Sequence, residues 1–359
     1  MIISRTPFRI SFFGGGTDYR VWYRDNGGSV LGTTIDKYCY ITCRCLPPFF
    51  EHKYRIVYSY SELVQNIDEI RHPAARECLR FMGIKEGVEI HHDGDLPART
   101  GLGSSSSFTV GMLHALYALK GMMPSKMQLA RDAIHVEQDL IKENVGSQDQ
   151  VLTALGGLRR IDFSGSHEIN TELITIKTER LESLENHLML FFTGLSRTAS
   201  EIAGEQIKQT PNKKKELTRI GAMVDEAINI LNGENDLADF GKLLDESWRL
   251  KRSLTDKIST PDIDRIYEKA TKAGATGGKL LGAGGGGFIL FFVPPDRHAA
   301  VRRALDRLIC VPFTFESTGS QIIFFEPETD YASEELARAA QAIAAFRELP
   351  QEASLGVAP

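Results

Sequence analysis

Long apolar runs are missing from this 359-residue chain. None approaches the ~18 residues that a membrane-spanning helix needs. The N-terminus also lacks a basic segment followed by an apolar core and a small-residue cleavage site, so a cytoplasmic protein without a membrane partner is expected. Cysteine is scarce and odd in number, at five. Cys39, Cys43 and Cys45 lie in a strand-like Tyr/Ile/Thr-rich run with no paired CxxC spacing and no neighbouring histidine, which reads as buried free thiols. No long block of Lys or Arg is present, and the net charge is −5 with a pI near 6.0. The one basic run, Lys213 to Lys215, opens a predicted helix and reads as a solvated face, so no nucleic-acid partner is expected.

What is present is the composition of an ordinary globular protein, 42% hydrophobic and 25% charged. The length exceeds that at which a single core usually stops growing, so two lobes and a cleft are expected, divided as 1–180 and 181–359. In the first half, strand patterns cover residues 2–13, 28–35, 38–45, 54–60 and 88–92, with Pro7 marking an irregularity in the first. Helical spacing covers 61–82, 104–119 and 125–144. The second half opens with an apolar strand over 187–193. It then alternates helices over 217–231, 237–254 and 263–273 with strands over 288–293, 311–315 and 321–325, the pattern of an α+β lobe. A last helix is expected over 334–349.

Three glycine-rich segments stand out. Leu96-Pro97-Ala98-Arg99-Thr100-Gly101-Leu102-Gly103-Ser104-Ser105-Ser106-Ser107 is a turn running into an amphipathic helix. Glycines admit a polyphosphate close to the backbone, and the free N–H groups and positive dipole end of the helix favour that anion. Four serines exceed what one helix cap requires. Neither standard nucleotide loop is present: Ser106 occupies the third glycine position of a dinucleotide fingerprint, and no Gly-x-x-x-x-Gly-Lys-Ser/Thr occurs.

The second segment, Gly277 to Gly287, holds seven glycines in eleven residues before a buried strand. Such density suits close backbone approach to a ligand better than a linker. In the third, the opening strand delivers Arg9 and then Gly14-Gly15-Gly16-Thr17-Asp18 just past its end, a place to hydrogen-bond substrate hydroxyls. Glu137 shares a helix stripe with Ala130, Ala133, Ile134 and Ile141 and therefore points at the packed side. A magnesium ion or a basic partner would satisfy it there. Asp149 follows in a loop after that helix.

In this order the three segments resemble the signature motifs of the GHMP kinases, the superfamily of galactokinase and of the homoserine, mevalonate and phosphomevalonate kinases. The resemblance spans residues 7 to 287. It implies an N-terminal ribosomal-protein-S5-like ATP-binding lobe, a C-terminal ferredoxin-like lobe and a cleft between them. Phe-Gly-Gly-Gly-Thr-Asp, Gly-Ser-Gln-Asp-Gln and the late glycine run are most similar to the D-glycero-D-manno-heptose 7-phosphate kinases. Gly15 and Gly16 stand where galactokinases carry Glu-His, which argues against galactose.

The resemblance implies ATP and Mg²⁺, with Gly101, Leu102, Gly103, Ser104, Ser105 and Ser106 on the phosphates and Ser105 and Glu137 on the metal. It also implies Asp149 orienting or deprotonating the attacking hydroxyl and Arg9 neutralising the transferring group. Gly15, Gly16, Thr17 and Asp18 would meet the sugar, while Gly282, Gly284 and Gly285 would shape the cleft. Arg197 is the expected cation for a phosphate on the acceptor, since Arg suits bidentate phosphate recognition. A kinase for another sugar, a hexose or fucose, and a catalytically silent sugar sensor on the same fold stay open. An oxidoreductase is disfavoured because Lys120 and Gly121 stand where the ribose-binding acid should be.

Overall fold

Alternating burial along Ile2–Phe13 gives way to continuous burial from Thr6 onward, the pattern of a central strand. The computed structural model describes residues 1–165, 168–195, 199–234, 236–327 and 331–341. In it this strand lies between Gly28–Cys45 and Gln321–Phe325 in a nine-stranded sheet. From Gly28–Cys45 the sheet continues through Val88–Gly94 and Tyr54–Val57 to Ser61–Val64. Among the described residues only the Tyr54–Val57 pairing with Val88–Gly94 is parallel. Arg159–Ser164 and Phe315–Glu316 also pair with Gly28–Cys45, and Glu168–Leu173 pairs with Arg159–Ser164. The second sheet has the order Ile309–Val311, Leu188–Phe192, Phe288–Phe292, Gly277–Leu280 and is antiparallel throughout.

Residues 28–35 and 38–45, expected as two strands, form one strand of 18 residues. The gap between them is a bulge: Pro7 pairs with Tyr38 and Phe8 with Ile35, leaving Asp36 and Lys37 over. The helix expected over 61–82 is instead a strand at Ser61–Val64, a short turn at Ile67–Glu69 and a helix at Pro73–Phe81. Pro73 decides this, because proline suits the first helical position and disfavours helix in the residue before it. Residues 311–315 divide between Ile309–Val311 and Phe315–Glu316, which belong to different sheets. Beyond that point the chain crosses back, so Gln321–Phe325 completes the first sheet. The last helix is described over Ala332–Gln341. Among the described residues no helix is long and apolar enough to cross a membrane.

Apolar and main-chain contacts both join the lobes. Phe12 and Phe13, at the end of the opening strand, meet Phe240 of the helix Ala238–Arg252 edge-on at 5.5 and 5.1 Å. The two glycine loops also touch directly: a side chain on Gly282 would lie 2.5 Å from the Gly101 Cα, and Gly282 has φ +71°. Phe288 N–H donates to Thr100 O at 3.0 Å, closing the seam.

Gly282→Ala should therefore lower stability by about 3 kcal/mol, from left-handed strain plus backbone overlap. Gly83→Ala, at φ +61° with open space around it, should cost only about 1 kcal/mol. Urea midpoints check the difference, and equal shifts would refute the close seam.

Candidate active site

The loop before the helix Ser104–Leu119 turns on left-handed residues, with φ +61° at Arg99, +89° at Gly101 and +76° at Gly103. The first helical hydrogen bond, from Ser107 N–H to Gly103 O at 2.8 Å, leaves the N–H groups of Ser104, Ser105 and Ser106 outside the ladder. These residues line a cavity of about 580 Å³ at the junction of the lobes.

Arg9 is 4% exposed and lies beneath this loop. Its Nε and Nη2 donate to the two Asp149 carboxylate oxygens at 2.7 and 2.6 Å, and its Nη1 donates to Gly101 O at 2.6 Å. Asp149 occupies the first turn of the helix Gln148–Leu155 and opens on the same cavity. Glycine is required at 103, since a side chain there would meet Arg9 Cγ at 3.0 Å.

Glu137 sits in a π-helical turn, Val136–Leu140, which continues the helix Lys126–His135. Such turns are frequent at functional sites. Its carboxylate is 2% exposed and accepts from Ser106 Oγ at 2.9 Å, Thr109 Oγ1 at 2.8 Å and the Gln150 side-chain amide. The serine in contact with Glu137 is thus Ser106, whereas the Ser105 side chain is exposed along the cavity. Among the described residues no Arg or Lys is paired with Glu137, and burial pushes its carboxyl up to about 7.

Among the described residues, no group of three or more His, Cys, Asp and Glu side chains could hold a metal by itself. A metal bound here would therefore share its coordination between one buried carboxylate, a hydroxyl and phosphate oxygens, a set that suits magnesium.

Asp18 is buried and accepts from Gly16 N–H at 2.9 Å and Gln148 N–H at 3.4 Å. Burial, followed by the nearby Asp149 charge, raises its carboxyl above the usual range. Gly15 and Gly16 line the cavity beside it. Thr17 does not fit its expected role: its hydroxyl is bonded to Gly14 O at 2.8 Å and Ser29 O at 3.0 Å and accepts from Ser29 N–H, all facing away from the cavity. Gly282 lines the cavity, but Gly284 and Gly285 pack on the backbone at Ile258. Arg197 lies outside the described residues.

Two lysines that sequence reasoning passed over also line the cavity. Lys251 Nζ donates to Leu280 O and Gly282 O, and Lys279 Nζ donates to Phe12 O at 2.7 Å. Lys279 had a signal, a charge inside a glycine-rich strand. Lys251 had none, since a basic residue in the last turn of a helix is ordinary. Tyr58, His72, His92 and Phe108, which also line the cavity, form a ring cluster with centroids 4.5 to 5.2 Å apart. Burial lowers the His72 imidazole to about 4, so it is neutral at pH 7.

Residues 68–157 match the GHMP kinases N terminal domain and residues 224–309 the GHMP kinases C terminal domain. The chain belongs to the GHMP kinases. It is a small-molecule kinase with ATP as co-substrate. The kinase is 28% identical over 315 residues to the D-glycero-alpha-D-manno-heptose 7-phosphate kinase of Campylobacter jejuni, covering 85% of this chain and 93% of that one. It is 24% identical to the galactokinase of Pyrococcus furiosus, covering 88% and 96%. Its fold matches a D-glycero-D-manno-heptose 1-phosphate kinase from Bacteroides thetaiotaomicron with a TM-score of 0.73, covering 91% and 100% at 24% identity.

Between pH 4.5 and about 7 the folded kinase keeps a proton on Glu137 that the unfolded chain releases. Stability of the nucleotide-free protein should thus fall as pH rises through that window, by on the order of 3 kcal/mol from this group. The loss is absent below 4.5 and complete above about 7. Thermal melts from pH 5 to 8 should show a flatter profile for Glu137→Gln, and parallel profiles would remove the assignment.

Proposed function

We propose that the kinase phosphorylates the anomeric hydroxyl of D-glycero-D-manno-heptose 7-phosphate, giving the 1,7-bisphosphate. The observation that carries the acceptor reading is the wall formed by Gly15 and Gly16. A side chain on Gly15 would meet nothing closer than Ser11 Oγ at 3.6 Å, so the wall leaves room for a longer sugar beside the Asp18 carboxylate. The Campylobacter relative, named for that sugar phosphate, supports the same choice.

In this reading the adenine lies at the ring cluster, where neutral His72 adds no charge. The phosphates rest against the N–H groups of Ser104, Ser105 and Ser106. Mg²⁺, when bound, neutralises charge on those phosphates. Glu137 and the Ser105 hydroxyl would hold it, with Ser106, Thr109 and Gln150 fixing the carboxylate. Asp18 accepts from sugar hydroxyls. Asp149, oriented by Arg9, faces the acceptor hydroxyl and takes its proton. Because phosphoryl transfer asks mainly for positioning and charge stabilisation, these groups suffice without covalent catalysis. Arg197 is the group proposed for the 7-phosphate.

Turnover of ATP should be measured against heptose 7-phosphate, mannose, galactose, fucose and mevalonate, with the product followed by phosphorus NMR. Only heptose 7-phosphate should give an anomeric phosphate rapidly. Rapid turnover of another acceptor would replace the substrate, and binding of a sugar without ATP consumption would point to a sensor. Asp149→Asn should lower kcat by about 10²- to 10⁴-fold, and near-normal turnover would end its role as base.

A further inference from the structure

Among the described residues five cations line the cavity, and three of them, Arg9, Lys251 and Lys279, stand near one another and near Asp18, with Arg71 and Arg99 the other two. The three are not equivalent. Arg9 already has a carboxylate, Asp149, on two of its donors. Lys279 is 4% exposed and turned onto Phe12 O. Lys251 is bound to two main-chain carbonyls, Leu280 O and Gly282 O. An ammonium has three N–H donors, so one is left for the cavity that Lys251 lines.

Gly282 fixes where that donor stands. It packs on Gly101, in the loop leading to the phosphate-facing helix N-terminus, and Arg9 Nη1 holds the Gly101 carbonyl from the other side. The seam of the two glycine loops is therefore gripped by a cation on each flank, one from each lobe. Lys251 is close enough to Arg9, Asp18 and Asp149 to feel the charge of all three. Among the described residues neither Lys251 nor Lys279 makes a salt bridge. When protonated, a cation anchored only by neutral carbonyls leaves its charge uncompensated for an incoming anion.

We propose that Lys251 is a catalytic residue of this kinase, donating its remaining N–H to the phosphoryl group in flight. In the step, an acceptor oxygen bonds to the γ-phosphorus as the bond to the β-phosphate bridging oxygen breaks. ADP departs with that electron pair, and the acceptor hydroxyl proton passes to Asp149. Lys251 and Arg9 then face the transferring group from opposite lobes. The assignment rests on the phosphoryl-transfer part of the proposed function and not on the identity of the acceptor.

The groups facing Lys251 set a further readout. Burial and the Arg9 charge outweigh Asp18 and Asp149 and lower its ammonium to about 7, while Lys279, itself lowered by burial, stands beside it. Only the ammonium carries a positive charge and a third N–H beyond the two held by Leu280 O and Gly282 O, so kcat/KM should fall as pH rises through about 7. Arginine stays protonated throughout that range.

The test uses the full-length kinase and ADP release, with the acceptor identified by the substrate panel or, if none is turned over, with water. Failure of the acceptor reading is thereby separated from failure of this one. Lys251→Met should lower kcat about 10²- to 10³-fold, the loss typical of one transition-state donor. Its affinity for a fluorescent ATP analogue should stay within about twofold of wild type and its acceptor KM within about threefold. Lys251→Arg should recover much of the rate and lose the alkaline limb. Lost nucleotide affinity in Lys251→Met would make the residue a loop anchor. Unchanged kcat with a raised acceptor KM would make it a ground-state contact. A Lys251→Arg enzyme that kept the wild-type alkaline limb would overturn the proposal as well.

Discussion

One guanidinium ties the site together. Arg9 comes from the central strand of the larger sheet and meets both oxygens of Asp149 on one helix and the Gly101 carbonyl in the loop before another. Its main-chain N–H also donates to Leu102 O at 3.0 Å. Breaking a buried pair by removing one partner typically costs about 3 to 5 kcal/mol, because the other charge is left without compensation. The loop that faces phosphate and the acid that faces the acceptor therefore cannot shift separately. Phosphoryl transfer needs that constraint, since misplacement by about an ångström is enough to lose most of the rate.

The same economy of space governs the contact between lobes. At Gly101 and Gly282 the two main chains approach so closely that neither position has room for a Cβ. Hydrogen bonds from Thr193 N–H to Gly287 O at 2.9 Å and from Phe288 N–H to Thr100 O extend the seam into the second sheet. Phe240 supplies the apolar counterpart against Phe12 and Phe13. The density of glycine between residues 277 and 287 thus has two causes. Gly282 borders the cavity, while Gly284 and Gly286 pack against main chain at Ile258 and Leu195.

Much of this was legible where local chemistry and periodicity agree. The helix Ser104–Leu119 has the bounds that its glycine turn and apolar spacing predict. Glu137 lies on the packed side, as its stripe requires. Legibility ended where a choice depends on rotation or distant partners. Four consecutive serines carry no phase, so the sequence could not separate Ser106, which shares a helix face with Thr109, from Ser105 one position round. Thr17 looked available because nothing local reveals that Ser29, twelve residues on, occupies its hydroxyl. Gln321–Phe325 reads as a strand on pattern alone. Its place beside Ile2–Phe13 is a long-range pairing that the pattern does not encode.

The ionisable groups around the cavity share one bias. Burial raises the carboxyls of Glu137 and Asp18 and lowers the ammonium groups of Lys251 and Lys279, so each is pushed towards its neutral form. These shifts favour less separated charge in a poorly solvated space, and they cost stability near neutral pH because the unfolded chain would ionise every one of them. A nucleotide with its metal reverses the balance, since an added cation favours the carboxylate and added phosphate favours the ammonium. Ligand charge and protein charge then stabilise each other in a medium where such interactions are strong. The strain in these protonation states is the energetic counterpart of a site arranged in advance for charge that arrives with its substrates.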